Sequence, residues 1–589
     1  PLSIFLLPDS RPFFAGTYFP MHSRFGRVGM VELIGRIRLI LETNPEQLEK
    51  SATDLVNAVL QVASGATMGK PMTKELLDQA FEQLANAFDD KNGGFGKAPK
   101  FPTPHNLVFL LRHGNRTGNF VATDMAEKTL LAMRQGGLYD QIGFGFHRYS
   151  VDAEWLVPHF EKMLYDQALL ALAYIEAGQA TRNPLWAQTV REVFTYVHRD
   201  LTSPDGVFYS AEDADSEGLE GKFYVWKLSE VLELLGASNT MFLQDVLSLT
   251  EEGNFAEIGH KEERGLNVLS LALPMKEVAL RQGISEADAA SRFETLRGML
   301  FSSRCRRVHP HRDEKILTDW NGLMIAALAR GSSVLNSIEY ILQARQAADF
   351  ILSKLVRSDG RLLHRYHGEE AGIQAHLDDY AFFVWGLIEL YESCFEARYL
   401  AEALTLTRQC LDHFWDTEHG GLFLSADDAE KLLVRSKEIY DGATPSGNSV
   451  MTLNLLRLGR LTGDSSLEKR AAVLLRAFSQ KVEAVPMAHT HLMMALSFAL
   501  GPTAEIVIAG TPDSPDTNAM LSAIRGKYLP NSVLLLRPTD QPDSPITQLA
   551  TFCRDLQPIE GKATAYICHN FTCSTPTTDP TSALKLLKA

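Results

Sequence analysis

Residues 136–177 read GGLYDQIGFGFHRYSVDAEWLVPHFEKMLYDQALLALAYIEA. The order is a glycine pair, an aromatic and charged loop, and then a helical run over 163–177. Glycine supplies the positive-φ geometry of a helix end or tight turn, and the apolar residue beside it tucks the turn onto the core. The phrase recurs as Gly93-Gly94-Phe95, Asp205-Gly206-Val207-Phe208-Tyr209, Asp359-Gly360-Arg361-Leu362 and Gly420-Gly421-Leu422-Phe423, each after a helix. Amphipathic periodicity predicts further helices over 74–88, 124–135, 186–200, 319–335, 343–356, 378–395, 402–415, 446–461 and 467–478. The phrases are 43 residues apart from Gly94 to Gly137 and 69 from Gly137 to Gly206, so no strict solenoid period exists. Paired helices joined by glycine turns predict a mainly α fold closed into a double ring, an (α/α)6 barrel. An open α-solenoid is the competing arrangement.

The flanks read differently. Residues 3–7 and 12–19 are short strands around the turn Pro8-Asp9-Ser10, and a helical pattern follows over 28–63. Residues 65–71 are a small-residue linker. In the tail, 504–509, 532–536 and 563–568 read as strands and 517–525 as a helix, a small βαβ-like module without a phosphate-binding glycine fingerprint. With 589 residues, 45% hydrophobic, the chain is long enough for two or three cores. A net charge of −15 without any Lys/Arg run argues against nucleic acid and anionic membranes as partners. No apolar run reaches the length of a membrane span. Six cysteines are too few for a disulfide scaffold, and Cys568 and Cys573 are expected as reduced thiols of a cytoplasmic protein. The chain starts at Pro1 rather than Met, and it is expected to be a fragment or processed product.

Seven loops mix Asp, Glu, His and Lys with Trp, Tyr and Phe: 92–102, 136–152, 155–167, 209–226, 307–321, 376–380 and 437–449. Aromatic faces suit the apolar side of a sugar ring, and paired carboxylates divide acid and base roles. For each residue singly, the bland reading is core packing or a solvated charge. Taken together the loops favour a pocket for a small-molecule sugar or glycan, with no cofactor and no metal. His147, His159, Asp319 and Asp378 are the expected acid–base groups. Tyr139, Trp155, Glu161, Asp166, Asp213, Trp320, Tyr380 and Asp441 are the expected binding residues. One of Asp378 and Asp379 is expected to cap its helix and leave the other free. His309 and His311 flank Pro310 as weaker candidates, and His489 and His491 read as structural. No G-x-S-x-G, P-loop, H-E-x-x-H or C-x-x-C motif occurs.

Several long phrases, KAPKFP (97–102), YDQIGFGFHRYSVD (139–152), WLVPHFEKMLYDQ (155–167), YSAEDADSEG (209–218), LTDWNGLMIAALA (317–329), LDDYA (377–381) and YDGATPSGNS (440–449), together resemble the spermatogenesis-associated protein 20 family of thioredoxin-domain proteins. The resemblance covers nearly the whole chain. It implies the C-terminal half of a thioredoxin-like domain over 1–68, an (α/α)6 barrel over 69–501 like those of N-acylglucosamine 2-epimerases and six-hairpin glycosidases, and a small α/β domain over 502–589. The family's C-x-x-C lies upstream of the segment matched by residues 1–20, so a redox partner is implied only for the full-length protein. Three readings of function stay open: a carbohydrate-active epimerase or hydrolase, a non-catalytic thioredoxin-linked accessory protein whose barrel binds a partner or glycan, and a structural remnant without activity.

Overall fold

The computed structural model describes residues 2–24, 26–63, 69–255, 264–569 and 572–587. Twelve helices build its centre, numbered here in chain order: α1 (Lys74–Ala87), α2 (Pro104–Thr117), α3 (Phe120–Gln135), α4 (Leu164–Thr181), α5 (Pro184–Tyr196), α6 (Thr318–Leu335), α7 (Ile338–Lys354), α8 (Leu377–Cys394), α9 (Ala397–Phe414), α10 (Gly447–Thr462), α11 (Ser465–Ala484) and α12 (Thr490–Leu500). The even-numbered helices pack side by side in the order α2, α4, α6, α8, α10, α12, and α12 packs back on α2. The ring therefore closes, and the open solenoid is excluded. Each inner helix also carries an outer one: α3 on α2, α5 on α4, α7 on α6, α9 on α8, α11 on α10 and α1 on α12.

Burial explains which helices go inside. Nearly every residue of α4, α8, α10 and α12 is buried, whereas α9 and α11 bury one face. Helices α2 and α12 escape the periodicity search although α4, α8 and α10, buried as fully, do not, so burial alone does not account for the omission. The inner helices approach closely where side chains are absent. A Cβ on Gly386 would stand 2.6 Å from the Gly322 carbonyl, and one on Gly322 2.6 Å from the Phe382 backbone, so both glycines are required where α6 meets α8.

The glycine phrases are docked by a repeated device. Gln167 of α4 accepts from the Phe146 amide and donates to the Phe146 carbonyl; Asn321 of α6 does the same to Phe208, and Asn448 of α10 to Leu422. In α8 the Tyr380 hydroxyl takes this place and accepts from the Leu362 amide. Three of the loops also hold a buried lysine on an aspartate and a loop carbonyl. Lys100 donates to Asp89 and Gly93, Lys162 to Asp140 and Phe144, and Lys437 to Asp416 and Gly420.

All long connections precede inner helices, so they gather at the inner-helix N-termini, which form the mouth of the ring. The insert between α5 and α6 joins this end: Ala211–Glu212 pairs with Lys162–Met163 and with Arg312–Asp313. Part of it, residues 256–263, lies outside the described residues. The opposite end is covered by the tail. There Ala504–Gly510 pairs in parallel with Ser532–Pro538 and antiparallel with Thr564–His569. Tyr528 donates to Glu176, the Leu534 amide to Glu392, and Arg525 to the Glu392 carbonyl.

Two expectations are corrected. Residues 28–63 form two helices, Met30–Thr43 and Pro45–Ala63, because Pro45 lacks the amide needed to continue the first. Cys568 and Cys573 are disulfide-bonded rather than reduced. They stand directly opposite each other on the antiparallel strands Thr564–His569 and Thr572–Cys573, and the register brings the sulfurs together. Among the described residues no helix is long and apolar enough to cross a membrane.

Candidate functional site

The mouth brings carboxylates together because successive inner helices each place one in their first turn. Asp166 lies there in α4, Asp319 in α6, and Asp378 and Asp379 in α8. Asp379 is the capping residue of the pair. It accepts from the His376 amide at 2.7 Å, from the Asp319 amide at 3.2 Å and from His364 Nδ1 at 2.9 Å. Asp378 is not left free, contrary to what the sequence leads one to expect of the second aspartate: it accepts from the Gly447 backbone at the start of α10. Burial and the Asp379 charge raise Asp378 to about 7 and hold Asp319 well above the carboxylate range. Burial lowers His364, but the hydrogen bond and charge of Asp379 outweigh it and place it at about 9.

A second group faces this one across an aromatic contact. Tyr165 of α4 meets Trp320 of α6 edge to face, with centroids 4.9 Å apart. Arg148 pairs with Glu161 at 2.9 Å, and Glu161 lies 3.3 Å from His159 Nε2. His159 Nδ1 lies 2.7 Å from Glu220, and its ring stacks on Tyr149. Hydrogen bonds to Glu161 and Glu220 raise His159 to about 9, and the same bond to His159 lowers Glu161. Asp166, buried and raised by that burial, keeps one oxygen without a partner.

Other expected residues are placed elsewhere. His147 is fully enclosed, with Nδ1 on the Phe160 carbonyl and its ring against Phe160 and Tyr224. Tyr139 donates to Glu192 under Arg134, and Trp155 donates to the Asn92 carbonyl beside Lys100. Tyr380 packs on Phe414 of the outer ring. Asp213 is exposed, in the strand region beside His311. Asp441 accepts from the amides of Ser446 and His491, tying the starts of α10 and α12. His309 and His311 are exposed. These placements share a cause: the loops are rich in charge and aromatics partly because they staple themselves to the ring.

The barrel axis holds a cavity of about 40 Å³ lined by residues that sequence reasoning passed over or, for His491, read as structural. His105 of α2 and His491 of α12, each the second residue of its helix, lie on it with Trp385, Glu389 and Arg457. Arg457 is held by Glu389 and Glu392, both at 2.6 Å, and Arg112 by Glu176. The signal for His105 and His491 in the sequence is their position in the first turn of a helix. His364, His376 and Asp379 offer ligand atoms within 4.8 Å of one another, as do the more exposed His413, Asp427 and Asp428, so either set could hold a metal ion.

A family model described as a protein of unknown function, DUF255 (Thioredox_DsbH), matches residues 1–60, a segment without cysteine. Human spermatogenesis-associated protein 20 is 37% identical over the whole of this chain and 79% of its own length. An uncharacterized protein of Caenorhabditis elegans is 31% identical over 98% of this chain and 82% of its own. Among solved structures, a GH76 α-mannanase of Bacteroides thetaiotaomicron is 10% identical over 69% of this chain and 82% of its own, at a TM-score of 0.41. The cellobiose 2-epimerase of Spirochaeta thermophila is 15% identical over 73% and 98%, at a TM-score of 0.31.

Proposed function

The chain belongs to the spermatogenesis-associated protein 20 family, and on that premise we propose that its barrel binds a sugar or glycan at the mouth and moves a proton on it by general acid–base chemistry. What supports this reading is the divergence of protonation states among carboxylates at or just before the first turns of the neighbouring inner helices α4, α6 and α8. Asp378 and Asp319 are raised by burial and by Asp379, so they hold protons near neutral pH, while Glu161 is lowered and ionised. Environments that push like groups apart mark acid and base assignments. Asp378 is the proton donor, with Asp319 as its neighbour. Glu161 is the acceptor. His159 holds its own proton between two carboxylates and positions Glu161 rather than acting as base. Trp320 and Tyr165 supply the apolar face for a ring.

The test is a panel of free sugars and disaccharides incubated with the protein in D₂O. Deuterium at the carbon beside the carbonyl indicates epimerisation, and new reducing ends indicate hydrolysis. Asp378→Asn is expected to abolish whichever is seen. If no sugar in the panel binds or exchanges, the reading is wrong.

A further inference from the structure

A cavity of about 620 Å³ lies at the end of the ring away from the mouth, where the last turns of α2 meet the tail. One wall is Arg112, Asn115 and Arg116 of α2, and the other is residues 527–532 of the tail with Leu584 and Leu587. The volume is in the range of sites for small organic molecules, which form preferentially where two domains meet.

Its charge is one-sided. Among the described residues that line it none is Asp or Glu, although the chain carries 72 acidic residues against 57 Lys and Arg. Three lining residues are cations. Arg112 gives Nε and Nη2 to Glu176 at 3.1 and 2.5 Å. Arg116 reaches Asp78 at 3.2 Å, but the Asp78 side chain is 52% exposed, so water weakens that pair. Lys527 is bonded through its backbone amide and carbonyl, and its ammonium has no partner among the described residues. The side-chain amides of Asn115 and Asn531 on the same walls are likewise unbonded among the described residues.

Helix ends account for part of this pattern. Arg116 lies in the last turn of α2, and Lys527 follows the tail helix Pro515–Arg525; cations are favoured at helix C-termini. That preference acts on each helix singly. It gives no reason for cations of two separate elements to line one cavity with no carboxylate between them.

We propose that this cavity binds a small organic anion, a carboxylate or a phosphate monoester on a compact, partly apolar body. The anionic group lies between Lys527 of the tail and Arg116 of α2. The amides of Asn115 and Asn531 meet polar substituents, and Leu529, Leu584 and Leu587 pack on the body. A ligand so placed touches both the ring and the tail and ties them together. The site is at the opposite end from the mouth, so it stands or falls independently of the sugar reading.

The experiment measures binding of phenyl phosphate, benzoate, benzyl alcohol and inorganic phosphate by calorimetry to wild type, Lys527→Gln, Lys527→Arg and Arg116→Gln, with thermal unfolding of each. Phenyl phosphate or benzoate is expected to bind at least tenfold more tightly than benzyl alcohol and inorganic phosphate, and to raise the melting temperature. Whichever of the two binds names the anion as phosphate ester or carboxylate. Lys527→Gln and Arg116→Gln are expected to weaken that binding at least fivefold, and Lys527→Arg to keep it. If neither anion binds more tightly than benzyl alcohol, or if inorganic phosphate binds as well as phenyl phosphate, the proposal is overturned. Binding within twofold of wild type in both glutamine variants places the anion elsewhere and also overturns it. If Lys527→Arg loses as much affinity as Lys527→Gln, charge is not what recognises the ligand, and the proposal falls.

Discussion

Replacing Asp378 by asparagine should stabilise the protein at alkaline pH while destroying its proposed acid. The folded carboxyl titrates at about 7 against an ordinary 3.8, because burial and the charge of Asp379 disfavour its ionised form. A raised acid pKa has a definite sign. Below the unfolded value both states are protonated and nothing is gained or lost. As pH rises, the unfolded chain ionises first, and stability falls until the folded carboxyl ionises too. A gap of about 3 pH units corresponds to about 4 kcal/mol at 1.36 kcal/mol per unit. Asp378 is half-buried at an open mouth, so solvent screening reduces this to about 1–2 kcal/mol. Asparagine keeps an oxygen for the Gly447 amide and carries no charge. Urea unfolding of wild type and Asp378→Asn from pH 4 to pH 8 is the assay. The two are expected to agree within about 0.5 kcal/mol at pH 4, and the variant to lead by about 1–2 kcal/mol at pH 8. Parallel curves, or a variant less stable at pH 8, would refute the claim that Asp378 is held protonated by its surroundings.

Asp140 anchors Arg304 through two hydrogen bonds and Lys162 through a third; Asp140→Asn leaves two buried cations short of a counter-charge and should cost about 3–5 kcal/mol in urea unfolding at neutral pH. Despite burial, Arg304 and Lys162 hold Asp140 well below the carboxylate range, so the wild-type advantage should persist above the ordinary carboxylate pKa and vanish as acid protonates Asp140. Trp320→Ala removes the ring that meets Tyr165 at the mouth, and sugar affinity measured by calorimetry should fall about tenfold, a loss of about 1.4 kcal/mol. Alkylation in denaturant without reductant should label Cys305, Cys394, Cys410 and Cys553 only, with Cys568 and Cys573 labelled after reduction.

The fold was legible wherever local physics repeats. A glycine turn followed by an apolar residue marks a helix boundary on its own, and amphipathic stripes mark the outer helices and several inner ones. The inner helices α2 and α12 were not singled out, although α4, α8 and α10, buried as fully, were. The acidic first turns of α6 and α8 were visible, and so was the expectation that only one of Asp378 and Asp379 would cap. Which loop charges face the mouth was not visible. Asp140, Asp416 and Lys162 look in sequence like Asp319 and Glu161, yet they staple loops to the ring, since a buried ion pair forms only between residues that the closed fold brings together.

Sequence alone determined the glycine-punctuated helices, the short strands at both ends and the wealth of ionisable groups near helix starts, because each depends on neighbours within a few residues. Tertiary structure decided the rest. Closure of α12 on α2 made a mouth, and the tail covered the opposite end. Asp379, placed between Asp378, the Asp319 amide and His364, set apart protonation states that composition leaves equal. His105 and His491, indistinguishable in sequence from core histidines, line a shared cavity only because the two ends of the ring meet.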